Sequence, residues 1–263
     1  MDRRHDNIEV LMNTGVRSKY RVFDMHDDPN FALSRNRIEQ IEHMGGDDAP
    51  VLIVDNAFED PNGLRAIALV ADWAPIAGNG QHFPGVRAEA PAAYGEAVIE
   101  LLTPHLGDVF ALPESAKPTI ALRHFSIVST PPSALALPQR LPHIDTTHLN
   151  QLAVIHYLVG SPFGGTNFFR HRETGWLRMG PDRFGRYSAS LVRSVKTKGV
   201  PPAQYIEGDT DLFEKVGGVD ARFNRVAAYF SNALHSGEIR RDAPLDPTPS
   251  RGRLTISTFI RWD

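Results

Sequence analysis

Cysteine is absent from the 263-residue chain, which removes disulfides, thiolate zinc sites and cysteine nucleophiles at once. No apolar run approaches the length of a membrane span, and the opening Met1-Asp2-Arg3-Arg4-His5-Asp6 lacks the apolar core of a signal peptide. The expectation is a soluble, cytoplasmic protein with no membrane partner. Charge of one sign is not in excess either: the formal net charge of -3 argues against non-specific binding to nucleic acid or anionic lipid. Internal repeats are missing, and nothing in the composition forces a division into several large domains.

What the chain does have is 20 prolines and 21 glycines spread throughout, a pattern of many short elements joined by turns. Residues 1–48 are polar and weakly patterned and read as an N-terminal extension packed on the main domain. Within it, 19–23 reads as an edge strand, 34–43 as a short helix and 45–48 as a turn. Residues 49–263 read as one domain. Val51-Leu52-Ile53-Val54-Asp55 is a buried strand, and Asp60 then caps a helix with Pro61 in its first turn. Residues 78–91 read as a loop in which His82 and Arg87 either line a site or, the favoured reading, are solvated at the surface. Residues 92–106 form a second amphipathic helix ending near His105. A strand at 119–128 precedes the Pro-rich 130–142, which is irregular by necessity.

Residues 152–159 are apolar on both faces, as expected of an interior strand covered on one side by the two helices. Residues 181–212, with a helix at 187–195, read as an insertion, either a lid or a surface excursion. Strand, Gly217-Gly218 turn and strand follow through Tyr229. In the last strand Arg253, Thr255, Ser257 and Phe259 alternate with Leu254, Ile256, Thr258 and Ile260. Helices early and strands late suggest a β-sandwich or jelly roll backed by helices.

The chemistry centres on Pro142-His143-Ile144-Asp145-Thr146. On an extended chain His143 and Asp145 point the same way with Cα atoms about 7 Å apart, so both reach one cation. An imidazole and a carboxylate suit a first-row divalent metal, and two His plus one carboxylate with open positions is the non-haem Fe(II) arrangement. The second His comes from among His124, His148, His156, His171 and His235. His156 lies among buried apolar residues, where a hydrogen-bonded core histidine is the usual role. His171 sits between Arg170 and Arg172, a neighbourhood that opposes a cation. His235 ends a strand, is followed by small polar residues and has the better credentials, with the others left open.

In order, His143-x-Asp145, Tyr157-Leu158, Gly164-Gly165-Thr166, His235 and Arg253 resemble the pattern of the Fe(II)- and 2-oxoglutarate-dependent oxygenases, most closely their prolyl-hydroxylase-like branch. The resemblance covers about 119–262, and 51–69 resembles the strand-helix entry of that branch. It implies a mainly β fold with flanking helices, a double-stranded β-helix (a cupin-like jelly roll) with iron at one open end. It implies that His143, Asp145 and His235 bind Fe(II), and that Arg253, Thr255 and Tyr157 hold the far carboxylate of 2-oxoglutarate. Iron with one carboxylate cannot neutralise that dianion, and a guanidinium supplies the balance; Arg251 is the alternative donor. Asp145 favours hydroxylation, because halogenating relatives replace it with a small residue.

The implied activity is a dioxygenase that uses molecular oxygen to hydroxylate a C–H bond of a small-molecule or peptidyl substrate, releasing succinate and carbon dioxide. Three departures stand against the pattern: a long Pro-rich gap between His235 and Arg253, no tyrosine at 123–125, and no counterpart to 181–212. The missing tyrosine leaves the near carboxylate to His124 or to no assigned residue. Arg170, Arg172, Arg178, Arg183 and Arg186 read as a solvated basic face, or as an attraction for anionic substrates at the mouth. The competing readings are a cupin-type metal protein that uses no 2-oxo acid, and a catalytically inactive binding module.

Overall fold

The computed structural model describes residues 30–46, 49–75 and 83–263; the strand expected at 19–23 and His82 lie outside them. The fold is mainly β. Along the chain come β1 (Ile38–His43), β2 (Pro50–Asp55), α1 (Pro61–Val70), β3 (Ala74–Pro75), β4 (Gly85–Glu89), α2 (Ala92–Leu102) and β5 (Pro118–Val128). Then follow β6 (Gln151–Tyr157), β7 (Thr166–His171), α3 (Pro181–Lys198), β8 (Phe213–Val219), β9 (Arg225–Phe230), β10 (His235–Gly237) and β11 (Arg253–Trp262). They build an antiparallel sheet in the order β1-β2-β9-β6-β11-β5-β4-β3 and a smaller one in the order β10-β7-β8. Among the described residues no helix is long and apolar enough to cross a membrane.

The large sheet is covered on both faces, which is why its central strands are apolar throughout. On one side α1 and α2 pack Leu64, Ala68, Tyr94, Val98, Leu101 and Leu102 against Leu152, Val154, Leu254 and Ile256. Helix α1 starts as expected, with Asp60 accepting a hydrogen bond from the Gly63 amide at 2.9 Å. Helix α2 gives way at Thr103 to a 3-10 turn through His105, short of the expected end at 106. On the other side the small sheet closes a second core, where Phe168 meets Tyr157 and Tyr229 of the large sheet. Helix α3 lies on the outer face of the small sheet, packing Tyr187 with Phe169, Phe213 and Leu234.

Four local expectations need correction. Residues 34–43 carry no helix: Ile38 and Ile41, three apart, mimic helical spacing, yet Ile38–His43 pair with β2 and 34–37 form a turn before them. Both isoleucines stay exposed on that edge strand, so the backbone ladder decides the conformation. Residues 78–91 are not all loop, because Gly85–Glu89 form β4 against β5. The Gly217-Gly218 pair is not a turn. Strand β8 runs through it, and the missing side chains let Met44 and Asn167 approach the backbone where a Cβ atom would collide. Finally, the helix expected at 187–195 extends over the whole of α3.

Candidate metal centre

The Pro-rich run after β5 ends in two 3-10 turns, Pro132–Ala134 and Leu137–Arg140, pinned by the Arg140 guanidinium to the Leu135 carbonyl at 2.7 and 3.0 Å and to the Pro201 carbonyl at 3.2 Å. The chain then joins the edge of the small sheet. His143 and His235 exchange backbone hydrogen bonds of 2.9 Å in both directions, and the Asp145 amide donates to the Ser231 carbonyl at 2.8 Å. Local extension at 143–145 throws His143 and Asp145 to the same side, while the bridge sets His235 opposite. Distance along the chain is cancelled by one β-bridge.

The three side chains converge. One ligand atom from each lies within 4.8 Å of the other two. The His143 and His235 Nε2 atoms are each 3.7 Å from an Asp145 oxygen, and the imidazole centroids are 4.4 Å apart. Metal bonds of about 2.0–2.2 Å put cis ligands about 3 Å apart and trans ligands about 4 Å apart, so the cluster has the size of a coordination shell. His235 Nδ1 donates to the Ala233 carbonyl at 2.9 Å, which leaves Nε2 as the acceptor facing the cluster, and the Tyr229 ring packs edge-on against it. A backbone carbonyl on the remote nitrogen is how proteins orient a metal-binding histidine.

Asp145 is the strained member. Its Oδ2 is buried without a hydrogen-bond partner, and burial raises its pKa above the usual 3.8 against the opposing pull of His235 and Arg87. A buried carboxylate oxygen with nothing to bind is costly, and a cation relieves that cost. His143, with its side chain 52% exposed, leaves one side of the cluster open. The donor set fits a first-row divalent ion, with positions to spare.

Beside the cluster the inner face of the large sheet is polar. Strand β11 sends Leu254, Ile256 and Ile260 into the helix-backed core and turns Arg253, Thr255 and Ser257 the other way. Thr255 stands between Tyr157 of β6 and Ser126 of β5 in register. Arg253 is 6% exposed, lies 5.8 Å from the Tyr157 ring centre, and donates from Nη2 to the Gly165 carbonyl at 2.7 Å and from Nε to the Gly164 carbonyl at 3.3 Å. Among the described residues no carboxylate forms an ion pair with it. Burial pulls its pKa down, with Tyr157, Glu238 and Tyr229 acting the other way. Tyr157 bonds through its hydroxyl to Thr166 at 2.7 Å, and burial pushes its phenol up. Gly164 and Gly165 are required here: Gly164 has φ +71°, and a Cβ on either would strike the carbonyls of Glu238 and Val219.

The remaining histidines divide cleanly. His156 is the core residue its surroundings suggested, held between the Tyr94 hydroxyl at 3.3 Å and the Asn224 side chain at 3.2 Å, its pKa lowered to about 4 by burial. His171 is buried under α3 against Tyr187 and Phe213, and His148 is exposed on the loop past Asp145. His124 stands opposite Ser257 and Glu89 in register, outside the triad, and burial lowers its pKa. Arg251 is exposed and paired with Asp246 at 2.8 Å, which leaves Arg253 as the buried guanidinium. The arginines read as a solvated basic face, or as an attraction for anionic substrates, are engaged locally: Arg170 with Glu214, Arg172 with Asp209, Arg178 with Asn232, and Arg183 and Arg186 over the Trp176 ring.

Arg87 is the residue the sequence reading misplaced. It is not on a solvated loop but on β4, opposite Ser126, with its guanidinium 4.2 Å from the Phe83 ring centre and its Nε buried without a partner. Burial lowers its pKa to about 10, and Asp145 is the charge that counters this. The signal was present: Val86 and Ala88 alternate with Arg87 and Glu89, the period of a half-buried strand, hidden among Gly and Pro.

No curated protein and no solved structure matches the chain. A family model does, across residues 35–260, a span that runs from β1 into β11 and takes in all of the site residues above, and the chain belongs to that family, described as a family of unknown function (DUF6445).

Proposed function

We propose that this chain is an Fe(II)- and 2-oxoglutarate-dependent oxygenase built on a double-stranded β-helix. The topology supports the fold reading. From β5 onward the chain passes back and forth between the sheets, with β5, β6, β9 and β11 in the large one and the 143 segment, β10 and the consecutive pair β7 and β8 in the small one. The observation that carries the functional reading is Arg253: a buried guanidinium that forms no ion pair with a carboxylate among the described residues, on the sheet face where Tyr229 feels the charges of both Arg253 and Asp145. Burying an unpaired charge costs several kcal/mol, about as much as an ordinary domain can spare, so an anion is the natural counterpart.

His143, Asp145 and His235 would hold the iron. When bound, iron supplies the oxygen chemistry by which 2-oxoglutarate and molecular oxygen yield succinate and carbon dioxide, one oxygen atom passing into a substrate C–H bond. Arg253 binds the far carboxylate, Thr255 turns toward it the hydroxyl that in the free protein donates to the Ser126 carbonyl at 3.3 Å, and Tyr157 walls that end off from water. His235 keeps its Nε2 available because Ala233 holds the proton at Nδ1. The test is anaerobic addition of Fe(II) and 2-oxoglutarate to the purified protein, read as the weak visible charge-transfer band of a chelated 2-oxo acid. The band should form in the wild type and fail in Arg253→Met and Asp145→Ala. Metal uptake with no band at any 2-oxoglutarate concentration refutes the reading and leaves a cupin-type metal protein.

A further inference from the structure

Arg87 is not explained by that reading. It extends from β4 onto the inner face, since its neighbour Ala88 packs with Phe125 in the helix-backed core. Among the described residues it makes no ion pair, its Nε is buried and unsatisfied, and a phenylalanine ring covers its guanidinium. Asp145 is the carboxylate whose field reaches it. That single countercharge is also the one a metal ion would consume. Once a divalent cation is bound, Arg87 faces net positive charge in a partly desolvated setting, and the arrangement is repulsive unless an anion lies between them. Arg253, a cation itself, cannot relieve this. We propose that Arg87 holds a second carboxylate, on the Asp145 side of the site and against its metal face, distinct from the one at Arg253.

The inference rests on the metal-centre reading. The carboxylate has two possible sources: the near carboxylate of the 2-oxo acid, or an acidic group on the substrate. Two measurements on the full-length protein test it. Mn(II) affinity is measured by calorimetry without organic anions for wild type, Arg87→Met and Arg87→Lys. Removing the charge should tighten Mn(II) binding at least about threefold, whereas the lysine variant should bind as the wild type does. In the Zn(II)-loaded wild type, the Nε–Hε resonance of Arg87, assigned by its loss in either variant, is followed by NMR. A shift on adding 2-oxoglutarate identifies the co-substrate as the source. A shift only when acetate is added over saturating 2-oxoglutarate identifies a separate acidic substrate. A resonance indifferent to both anions, or an unchanged Mn(II) affinity in Arg87→Met, overturns the inference. If 2-oxoglutarate gives no binding heat while acetate alone moves the resonance, the oxygenase reading falls and the anchor stands. If 2-oxoglutarate binds through Arg253 and the Arg87 resonance ignores both anions, the reverse holds.

Discussion

Replacing Arg253 with methionine separates a structural arginine from a ligand-binding one, because the two roles predict opposite outcomes. In the free protein the guanidinium gives up two hydrogen bonds, a good one to the Gly165 carbonyl at 2.7 Å and a long one to Gly164 at 3.3 Å. Bonds from a charged donor contribute about 1.5–3 kcal/mol each, less at 3.3 Å. Against this, the substitution removes a charge whose burial costs several kcal/mol and puts a flexible apolar chain beside the Tyr157 ring. The two contributions nearly cancel, so the metal-free variant should unfold within about 2 kcal/mol of the wild type in urea. The bound state has no such compensation. Losing one partner of a buried carboxylate pair costs about 2–5 kcal/mol, which is roughly 30-fold or more in Kd for 2-oxoglutarate by calorimetry on the Mn(II)-loaded protein. A variant that loses more than about 3 kcal/mol of stability while keeping its affinity for 2-oxoglutarate would refute the reasoning and make Arg253 a clamp on the Gly164-Gly165 turn.

Other perturbations act on separate parts of the same structure. Gly165→Ala forces a Cβ into the Val219 carbonyl and should cost about 1–3 kcal/mol in urea denaturation, weakening 2-oxoglutarate binding as the turn beneath Arg253 shifts. His143→Gln and His235→Gln should each abolish stoichiometric Mn(II) binding in calorimetry, while His171→Gln, outside the cluster, should leave it intact. His156 titrates at about 4 in the folded chain against an ordinary 6.5, so the unfolded state binds its proton first as pH falls. Stability contributed by neutral His156 is therefore complete above 6.5 and lost on acidification toward 4, by up to about 3 kcal/mol, a loss that urea midpoints should show reduced in His156→Gln.

How much of this was legible in the sequence depends on the range of the interaction that decides each feature. Asp60 as a cap, Pro61 at the helix start and the alternation of β11 are set within a few residues, and pattern reading recovers them. Residues 34–43 were misread because their conformation is decided by pairing with β2, a partner beyond the Gly45-Gly46 bend. Strand β4 was missed for the same reason: its ladder to β5 crosses more than thirty residues, and the dense Gly and Pro around it carry the local signal of a loop. Among the candidate site residues, His143 and Asp145 are suggested by their spacing, but a His-x-Asp pair arises often by chance and stands out only with the ordered set around it. His235 joins them only through its bridge to His143, which no local pattern encodes. The basic cluster at 170–186 was legible as charge but not as pairing, since Glu214 and Asp209, which neutralise Arg170 and Arg172, come from beyond α3.

The distribution of polarity between the sheets is itself an argument for a ligand. At one end of the inner face the contacts are those of any sandwich: Val51, Ile53, Ala153 and Tyr229, with Phe259 closing over them. Elsewhere on that face β11 and β6 turn to Arg253, Thr255 and Tyr157, and the neighbouring β5 and β4 to Ser126 and Arg87. Strand β11 makes the point alone, since its helix-facing side stays apolar at Leu254 and Ile256, level with Arg253 and Thr255 on the other. A chain selected only for stability would fill both sides alike, because buried polar groups add little even when fully bonded and cost more when Asp145 Oδ2 and Arg87 Nε are left without partners. The inner face carries two guanidinium groups, Arg87 and Arg253, beside the single carboxylate of the His143–Asp145–His235 cluster, and a metal adds further positive charge. Under the proposed function anions complete the interior of this end, and affinity for carboxylates, more than affinity for the metal, is the property that would distinguish an oxygenase site from a plain metal-binding sandwich.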